Sequence, residues 1–560
     1  MINNLSYLQR LLMNAINEDI AYPILSPSQI AQLQKYGEEQ STQVSDVLFQ
    51  VGDKDYDWFV IIAGALEIVN NADTNPEILA VRTAGQFLGE ISLLTGQTAF
   101  LTARVQEAGT VLKISAEKLR EIIATLPELS ELILNSFLMR REILLGNAAT
   151  SGLKIVGSRF SGDTQRLRAF AARNRLPHRW IDLEQDDQAE TLLRMFHVAP
   201  QNTPIVIWQG KEVLKNPSDN ALTRRLGLNR LISSEEALDL MVVGAGPGGL
   251  AASVYGASEG LSTLTLEALS TGGQAGTSSK IENYLGFPAG LSGAELANRA
   301  VVQAQKFGAR IVVSQTATQL REEAGYYIIK MKDGEEVSAR NVIIATGARY
   351  RKLPLTNLSK YEGQGVYYAA TQTEAQLCYN EPVMVVGGGN SAGQAAIFLA
   401  SQAQQVYIVI RRDSLVSSMS RYLIDRIERT DNIILLSNTE VSDLAGETSL
   451  REVVVQNNQT KEQQRLATTA VFTFIGADPR TNWLQDTLAL DDRGFILTGN
   501  ALKQEEVWPI KTRDPFLLET SLPGVFAVGD VRNGSVKRVA SAVGEGSIAV
   551  KFIFEYLAAQ

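Results

Sequence analysis

Cysteine is nearly absent from this sequence: Cys378 is the only one among 560 residues. A single cysteine cannot form an intrachain disulfide, which fits a protein of the reducing cytoplasm. Histidine is almost as scarce, with only His178 and His197. Because both lie outside the glycine-rich motifs described below, we do not expect histidine to act there as a general acid or base. We also expect no metal site.

Long apolar runs and an excess of basic residues are missing as well. No apolar run approaches the roughly 20 residues of a membrane-spanning helix. The net charge is −9 and the pI is near 5.2, so neither nucleic acid nor an anionic membrane is expected as the main partner. The N-terminal segment contains acids and no cleavable apolar core, unlike a signal peptide. The composition, 45% apolar and 20% charged, is that of a globular protein long enough for several domains.

The first 150 residues predict a small antiparallel barrel or roll followed by a helical stretch over 116–146. Short strands with regular turns are read at 47–52, 58–69, 77–82, 103–109 and 110–116. This block resembles the cyclic-nucleotide-binding domain family, through LFQVGDKDYDWFVIIAGALEIV and FLGEISLLTGQTAFLTARV. We therefore expect the block to share that family's fold.

The resemblance implies that Gly89 and Glu90 would hold the ribose and cyclic phosphate of an effector. The family's phosphate arginine aligns with Ala99, and Arg104 comes about five residues too late. An arginine fork is the natural partner of a buried phosphate. The alternatives are a cyclic-nucleotide site and a barrel retained for dimerisation or docking, and we favour the second.

Residues 152–229 predict a compact unit of strands and helices in the order β-α-β-α-β-β-α. This order resembles the thioredoxin/glutaredoxin fold, in which Thr203-Pro204 takes the place of a cis-proline before the third strand. The redox position reads SRFSGDT, with Ser161 to Thr164 where CxxC is expected. Without a thiol there is no dithiol exchange at this position. The unit is either a relic that docks a partner or an inert spacer.

A first strand–turn–helix fingerprint, VVGAGPGGL, begins the C-terminal block. Glycines permit a tight turn and the close approach of a pyrophosphate to a helix N-terminus. An acid suited to the ribose of an adenosine, Glu267, follows 23 residues after Gly244. The predicted contacts of this turn are Gly244, Gly246, Pro247, Gly248 and Gly249.

A second fingerprint, VVGGGNSAG, lies 143 residues after the first. The strand after it ends in Arg411-Arg412, with no acid at the ribose position. Arginine there accommodates a 2′-phosphate, so NADPH is favoured over NADH. The other predicted contacts of this site are Gly388, Gly389, Asn390, Ser391 and Ala392.

The stretch GVFAVGDVRNGSVKRVASAVGEG, near the C-terminus, resembles the second FAD motif of two-dinucleotide flavoproteins. In that motif Asp530, after Gly529, would bind the ribityl chain, and the following helix N-terminus would face the flavin pyrimidine. ATGARYRKLPL matches the crossover between domains, with Thr346 and Gly347. The resemblance implies a discontinuous FAD domain that encloses the NADPH domain.

The whole C-terminal block, about 325 residues, resembles thioredoxin reductase of the low-molecular-weight type. STGGQAGTSSKIENYLGFP matches the family's flavin-contacting stretch, and FTFIGADPRT matches its return from the NADPH domain. By this resemblance, further cofactor contacts are expected at Gly273, Gln274, Asn283, Ile475, Gly476 and Lys537-Arg538-Val539, the last replacing the family's RQA.

Two further departures from the family concern its redox cysteines and its NADP arginines. Ala369 and Gln372 occupy the positions of the family's CxxC, and Cys378 stands alone six residues later. The sequence thus predicts no catalytic residue from the protein itself in place of the disulfide. Val416 takes the place of a third NADP arginine, for which Arg421 is a candidate substitute.

We therefore expect an α/β protein with a two-dinucleotide-binding, Rossmann-like FAD/NADPH flavoprotein core, preceded by a cyclic-nucleotide-binding-like β-roll and a thioredoxin-like α/β domain. The expected domains are 1–150, 152–229, a discontinuous FAD domain at 236–354 and 479–560, and an NADPH domain at 355–478. The expected function is hydride transfer from NADPH to FAD and onward to a small-molecule or protein acceptor, in a homodimer. The alternative is a slow redox sensor or scaffold, with gating by a cyclic nucleotide as a further candidate.

Overall fold

The structure is a computed structural model, and its units are described below in chain order. No helix in the part that it describes combines the length and apolar character that crossing a bilayer requires. The described residues are 18–54, 56–70, 77–146, 152–186, 188–210, 212–228, 238–278, 281, 283–362, 364–368, 370, 374–375, 378–447 and 449–558.

The N-terminal unit, residues 18–146, contains an antiparallel sheet of five strands. The two strands expected at 103–109 and 110–116 are one continuous strand. Gly109, in its middle, allows this, because a Cβ there would overlap the carbonyl oxygen of Ala63 on the neighbouring strand. The strands are β1 (Glu38–Thr42), β2 (Val47–Phe49), β3 (Trp58–Asn70), β4 (Glu77–Thr83) and β5 (Thr102–Ile114).

The helical stretch expected over 116–146 is divided at Pro127. Proline lacks the N–H that a continuing helix needs, but it fits well in a first turn, so one helix ends before it and a new one begins there. The side chains of Trp58, Phe87 and Phe137 fill the core between sheet and helices. The helices are α1 (Pro27–Leu33), α2 (Ser92–Thr95), α3 (Ala116–Thr125) and α4 (Pro127–Gly146).

The middle unit, residues 152–228, contains a four-stranded sheet in the order β7-β6-β8-β9. The first two strands are parallel and the others antiparallel. The Thr203–Pro204 peptide bond is cis. In chain order the elements are β6 (Leu153–Gly157), α5 (Gly162–Arg173), β7 (Arg179–Asp182), α6 (Gln188–Met195), β8 (Ile205–Trp208), β9 (Glu212–Lys215) and α7 (Asp219–Arg225).

The C-terminal unit, residues 238–558, is built on a sheet of seven strands, which we call the large sheet. Its last strand comes from near the C-terminus and pairs in parallel with the strand that precedes a long insertion. The strands are β10 (Leu238–Val243), β11 (Thr263–Leu266), β12 (Arg310–Val312), β13 (Ala317–Glu323), β14 (Tyr326–Met331), β15 (Glu336–Ile344) and β26 (Val525–Ala527). The helices around it are α8 (Pro247–Ser258), α9 (Gly293–Lys306), α13 (Asn500–Gln504) and α14 (Val539–Ala558).

The insertion, residues 351–476, which we call the insert, has its own parallel sheet of five strands and an antiparallel three-stranded sheet. A short pair, β16 (Ala348–Tyr350) and β25 (Ala477–Pro479), connects it to the large sheet. The other strands are β17 (Val366–Tyr367), β18 (Pro382–Val386), β19 (Gln405–Val409), β20 (Ile433–Leu436), β21 (Thr439–Ala445), β22 (Glu452–Asn457), β23 (Gln463–Ala467) and β24 (Ala470–Thr473). The helices are α10 (Leu358–Tyr361), α11 (Asn390–Ala400) and α12 (Arg421–Glu428).

Helices α8 and α14 pack with their backbones unusually close. A Cβ placed on Gly546 would overlap the carbonyl oxygen of Gly248 and would lie 3.0 Å from the Cβ of Ala251. Glycine at 546 is therefore required by the helix contact and not by its own backbone conformation. This contact holds the first turn of α8 against the C-terminal helix.

We expect Gly546→Ala to destabilise the protein by about 1–3 kcal/mol, because the added methyl group overpacks a backbone contact. The midpoint of urea unfolding, followed by tryptophan fluorescence, measures the effect. Gly544→Ala is the matched control: within the described chain no atom lies within 4 Å of a Cβ at Gly544. That control should gain up to about 1 kcal/mol from helix propensity. Equal midpoints for the two variants would contradict the proposed overpacking.

Candidate functional site

The first glycine turn connects β10 to α8. Gly244 has a φ of +108°, and a Cβ there would overlap the carbonyl oxygen of Ala345. A Cβ at Gly249 would overlap the carbonyl oxygen of Gly244, so the helix sits directly against the turn. At Gly246, by contrast, no atom of the described chain lies within 4 Å of the Cβ position. One side of the turn is therefore packed against the protein. The other side, at the N-terminus of α8, is open, and this helix starts at Pro247.

Glu267 follows β11 and is bound to this same turn. Its side chain is buried, with 7% of the residue exposed. One carboxylate oxygen accepts a hydrogen bond from the backbone N–H of Ala245 at 2.7 Å, and the other accepts from Leu269 at 2.9 Å. Burial raises the pKa of Glu267, although these backbone donors oppose the shift. The predicted ribose acid thus also fixes the glycine turn, a role that the sequence pattern did not reveal.

The stretch at 272–274 closes over the turn from the other side. The backbone N–H of Gly272 donates to Ala245 at 2.7 Å, and a Cβ at Gly273 would lie 3.1 Å from the Cα of Gly246. Gln274 donates its side-chain amide to the carbonyl oxygen of Ala348. The structure therefore brings Gly273 to the first turn and Gln274 to the crossover at Ala348, whereas Asn283 is an exposed residue further along the segment.

Asp530 lies at the end of β26, beside the N-terminal part of α14. Burial raises the pKa of its carboxyl group, and the neighbouring Lys537 opposes that shift. Lys537 also donates to the backbone carbonyl of Asp530 at 3.1 Å. Arg538 is exposed, and Val539 is the first residue of the helix.

A partly buried ion pair, absent from the sequence prediction, supports this corner. Glu545 of α14 accepts a hydrogen bond from the backbone N–H of Gly529 at 2.6 Å and pairs with Arg532 at 2.5 Å. The pair joins the helix to the turn at Gly529. Nothing in the spacing of these residues distinguishes them from ordinary surface charges, so only the structure assigns this role.

The crossover to the insert contains Thr346 and Gly347. The hydroxyl of Thr346 donates to the carbonyl oxygen of Arg480 at 3.1 Å, and the N–H of Arg480 donates to Gly347 at 3.1 Å. Gly347 has a φ of +65°. These bonds bring the two chain segments together where they enter and leave the insert.

The second glycine turn connects β18 to α11 in the insert and repeats the design of the first. Gly387 has a φ of +137°, and a Cβ there would overlap the carbonyl oxygen of Phe474. No atom of the described chain lies within 4 Å of a Cβ at Gly389. Asn390 and Ser391 begin the helix, and Ala392 is fully buried against the sheet.

Three serines of one loop, missed by sequence reasoning, contribute to closing this second turn. Ser418 donates to the carbonyl oxygen of Gly388 at 2.7 Å, and the N–H of Ser420 donates to the side-chain oxygen of Asn390 at 2.7 Å. Ser417 accepts a hydrogen bond from Arg412 at 2.9 Å. A serine-rich loop after the arginine pair was the available signal, because hydroxyls are common partners of phosphate and backbone groups.

The arginines at this site differ in their engagement. Arg411 and Arg412 are exposed at the end of β19. Arg421, the candidate substitute for a third arginine, forms an ion pair with Asp425 at 2.6 Å on its own helix. Val416 is 70% exposed. Of these three arginines, Arg421 is committed to an ion pair, which leaves Arg411 and Arg412 as the exposed cations available next to the turn.

The return from the insert passes through Ile475 and Gly476. Gly476 has a φ of +99°, and its carbonyl oxygen accepts from the N–H of Arg351 at 2.9 Å. Ile475 is partly buried against the core beneath the second sheet. Both residues lie where the insert meets the crossover strands.

The lone cysteine is part of the insert's core. Cys378 is 3% exposed, and its thiol donates to the carbonyl oxygen of Glu374 at 3.2 Å. Burial raises the pKa of the thiol to about 11, which leaves little of the reactive thiolate at neutral pH. The cysteine replacements Ala369 and Gln372 lie outside the described residues.

In the N-terminal unit, the predicted effector residue Glu90 already has a cationic partner. Arg141 of α4 pairs with its carboxylate at 2.7 Å, with side-chain exposures of 4% and 12% for the arginine and the glutamate. Ser92 also donates to Glu90. A carboxylate engaged in this way is not free to bind a ribose.

The phosphate end of that predicted site is also closed. Ala99, at the position of the family's arginine, is buried, and its backbone bonds to Asp53 and Gly52. Arg104 pairs instead with Glu67. Gly89 has a φ of +106° and packs against Leu93.

We expect Arg141→Met to destabilise the N-terminal unit by about 3–5 kcal/mol, because it leaves the buried charge of Glu90 without its partner. The double variant Glu90→Gln/Arg141→Met should recover most of this loss, since no buried charge is then left alone. Thermal or urea unfolding of the four species completes a double-mutant cycle. A coupling energy near zero would contradict the buried pair.

Comparison with known proteins places this geometry in a family. The protein in the rubredoxin operon of Clostridium pasteurianum, of 34.2 kDa, is 32% identical over 326 residues, covering 58% of this chain and 99% of its own. Thioredoxin reductase of Treponema pallidum is 32% identical over 323 residues, covering 58% of this chain and 98% of its own. The crystal structure of T. acidophilum thioredoxin reductase superposes with a TM-score of 0.52 at 29% identity, covering 58% of this chain and 100% of that one.

Two family models match along the chain. The model of the cyclic nucleotide-binding domain matches residues 39–125. The model described as pyridine nucleotide-disulphide oxidoreductase matches residues 238–546, more than half of the chain. The chain therefore belongs to the pyridine nucleotide-disulphide oxidoreductase family, with a thioredoxin reductase-like core preceded by a cyclic nucleotide-binding domain.

Proposed function

We propose that the protein is an FAD-dependent oxidoreductase that takes hydride from NADPH and passes the electrons to an acceptor other than a dithiol of its own. The observation that carries the proposal is the pair of strand–turn–helix units at Gly244–Pro247 and Gly387–Asn390, each closed towards the protein and open at the helix N-terminus. When bound, the two cofactors supply the redox chemistry themselves, and the protein supplies binding and orientation.

The FAD would lie on the first turn. The open face at Gly246 suits a pyrophosphate, which the N–H groups and dipole of α8 favour. Glu267 already accepts backbone N–H groups, and because a carboxylate accepts about four hydrogen bonds in all, it can still accept from a ribose hydroxyl. The partly buried carboxyl of Asp530 fits the ribityl hydroxyls, which would provide it with hydrogen-bond partners. Gly273 and Gln274 would border the flavin.

The NADPH would lie on the second turn. The open face at Gly389 suits its pyrophosphate, and Arg411 with Arg412 would bind the 2′-phosphate, to which a guanidinium can donate two parallel hydrogen bonds. Ser417 orients Arg412, and Ser418 fixes the turn through Gly388. We infer from this set of residues a preference for NADPH over NADH.

The route by which electrons would leave the reduced flavin, here called the electron exit, differs from that of a dithiol enzyme. The sequence has one cysteine, and it is buried with a raised pKa. A disulfide within this chain therefore cannot take up two electrons and deliver them to thioredoxin. A quinone, dioxygen, a one-electron carrier or a disulfide on a partner protein are the acceptor classes that the chain leaves open.

The proposal is tested by NADPH-driven turnover of the FAD-loaded full chain. We expect negligible reduction of a disulfide-containing test protein, together with measurable turnover of quinone or ferricyanide. Cys378→Ala should leave both rates within about twofold of the parent, because a buried thiol of raised pKa is a poor nucleophile. Robust reduction of the test protein that is lost in Cys378→Ala would overturn the proposal, and so would absence of NADPH oxidation with every acceptor.

We expect Arg411→Ala/Arg412→Ala to lower kcat/KM for NADPH by roughly 10- to 100-fold, because charged hydrogen bonds to phosphate contribute about 1.5–3 kcal/mol. The value for NADH should change little, since NADH has no 2′-phosphate. Arg421→Ala is the matched control on the same face: its guanidinium is paired with Asp425, so NADPH kinetics should stay near the parent. Equal losses of kcat/KM for NADPH and for NADH would mean that Arg411 and Arg412 do not recognise the 2′-phosphate.

We further propose that the middle unit is a thioredoxin-like domain without CxxC. The sheet order β7-β6-β8-β9 and the cis bond before Pro204 support this assignment. Ser161 caps helix α5 through the N–H of Thr164, at the position where a redox motif would stand. The proposed domains are 1–150, 152–229, 236–354 with 479–560, and 355–478.

The N-terminal unit is proposed as a docking module, because Glu90 is already paired with Arg141 and because residues close to it contact the middle unit. Thr98 donates to the carbonyl oxygen of Leu226 at 3.3 Å, and the Phe100 ring meets Trp208 edge-on at 6.3 Å. Heat on titration with cyclic AMP or cyclic GMP would contradict this role. A homodimer is proposed from the resemblance to thioredoxin reductase, and light scattering measures the mass.

A further inference from the structure

Helix α9 of the C-terminal unit contacts both the first glycine turn and the N-terminal unit. Towards the turn, Ala297 of α9 shares a small apolar cluster with Ala245 of the turn and Leu250 of α8. Towards the N-terminal unit, Val302 is 5% exposed and belongs to the hydrophobic core of that unit. At 3.6 residues per turn, the five residues from Ala297 to Val302 rotate the side-chain direction by about 140°. The two contacts are therefore made by different faces of one helix.

The face of α9 at the first glycine turn is closely packed. A Cβ at Gly293, the first residue of the helix, would overlap the carbonyl oxygen of Ala275. A Cβ at Gly272 would lie 2.7 Å from the Cβ of Ala297. Gly272 also donates its backbone N–H to Ala245 at 2.7 Å. A movement of α9 therefore displaces the stretch that closes over the turn and borders the proposed flavin site.

Two helices of the N-terminal unit, α2 and α3, pack against α9. Helix α2 begins at Ser92, shortly after Glu90 of the buried ion pair with Arg141. Glu90 accepts hydrogen bonds from the backbone N–H and from the hydroxyl of Ser92, and Arg141 donates to that hydroxyl at 3.0 Å. The ion pair therefore fixes the start of a helix that packs on α9.

We propose that α9 couples the N-terminal unit to the FAD site, so that a change in the packing of α2 on α9 changes the affinity of the protein for FAD. The inference rests on the proposed function, because it requires FAD at the first glycine turn. Its physical basis is that closely packed interiors have low compressibility and pass displacements on to their neighbours. A protein that docks on the N-terminal unit and shifts α2 thereby controls how tightly FAD is held.

Coupling of this kind acts equally in both directions. If the packing of α2 on α9 strengthens FAD binding, then FAD stabilises that packing by the same factor. Hydrogen exchange of the α2 amides in the full chain should therefore slow when FAD binds. The amides of β1, an edge strand that pairs with β5, should exchange at an unchanged rate.

The exchange experiment needs no variant and decides the proposal on the parent chain. Unchanged exchange of the α2 amides on FAD binding would overturn the coupling. Equal slowing in α2 and in β1 would overturn it too, because FAD would then stabilise the whole unit without a specific route through α9.

Two valine-to-alanine variants of the same hydrophobic core test the route through α9. Val302→Ala loosens the contact between α9 and the N-terminal unit and should raise the Kd for FAD about 5-fold or more, as measured by flavin fluorescence. Val105→Ala is the matched control, because Val105 is buried in the same core but lies on strand β5. The control should lower the midpoint of urea unfolding to a similar extent and leave the Kd for FAD within about twofold of the parent.

The outcomes separate this inference from the proposed function. Equal Kd values for FAD in the parent and in both variants would overturn the coupling and leave the proposed oxidoreductase intact. Equal losses of affinity in the two variants would also overturn the coupling, because general destabilisation of the core would explain both. No FAD binding by any of the three proteins would overturn the proposed function and this inference together.

Discussion

The carboxylate of Glu267 is the interaction on which the arrangement of the first site depends. It accepts backbone N–H groups from Ala245, within the glycine turn, and from Leu269, after the second strand. The glycines of the turn have no side chains to pack, and Ala245 contributes only a methyl group to the core. A buried carboxylate between two backbone segments therefore does what packing does elsewhere, and Gly272 completes the enclosure through its own bond to Ala245.

Electron entry and electron exit are specified very differently in this chain. The proposed entry uses two open glycine turns, an acid at one and an arginine pair at the other, all on the ends of parallel strands. For the exit, the sequence has no second cysteine to form a redox disulfide, and its one cysteine is a packed core residue. A chain built on a thioredoxin reductase-like core can thus retain the cofactor platform while the acceptor is supplied from outside.

The N-terminal unit illustrates how a binding fold can be closed by its own helix. Arg141 of α4 forms an ion pair with Glu90. Ala99, which has no charge, stands at the position of the arginine that would bind a phosphate. The N-terminal unit also contacts the middle unit through Thr98 and Phe100, and its helices α2 and α3 approach α9.

Much of the architecture could be predicted because local patterns are sufficient for it. The strand–glycine–helix fingerprints, the alternation in the middle unit and the acid at Glu267 all depend on short-range periodicity and on what glycine permits. The predicted boundary at 109–110 was wrong because a distant neighbour decides it: Gly109 lets one strand continue past Ala63. The division of the helix at Pro127 is a local effect that periodicity alone does not show.

The sequence by itself determined the two dinucleotide-type turns, the arginine pair without an acid, and the lack of a second cysteine. Only the tertiary structure decided that Glu267 supports its turn, that Ser417 and Ser418 serve the second turn, and that Arg421 and Glu90 are already paired. The physical reason is that a side chain's partners lie up to hundreds of residues away in sequence, and hydrogen bonding and burial are properties of those partners.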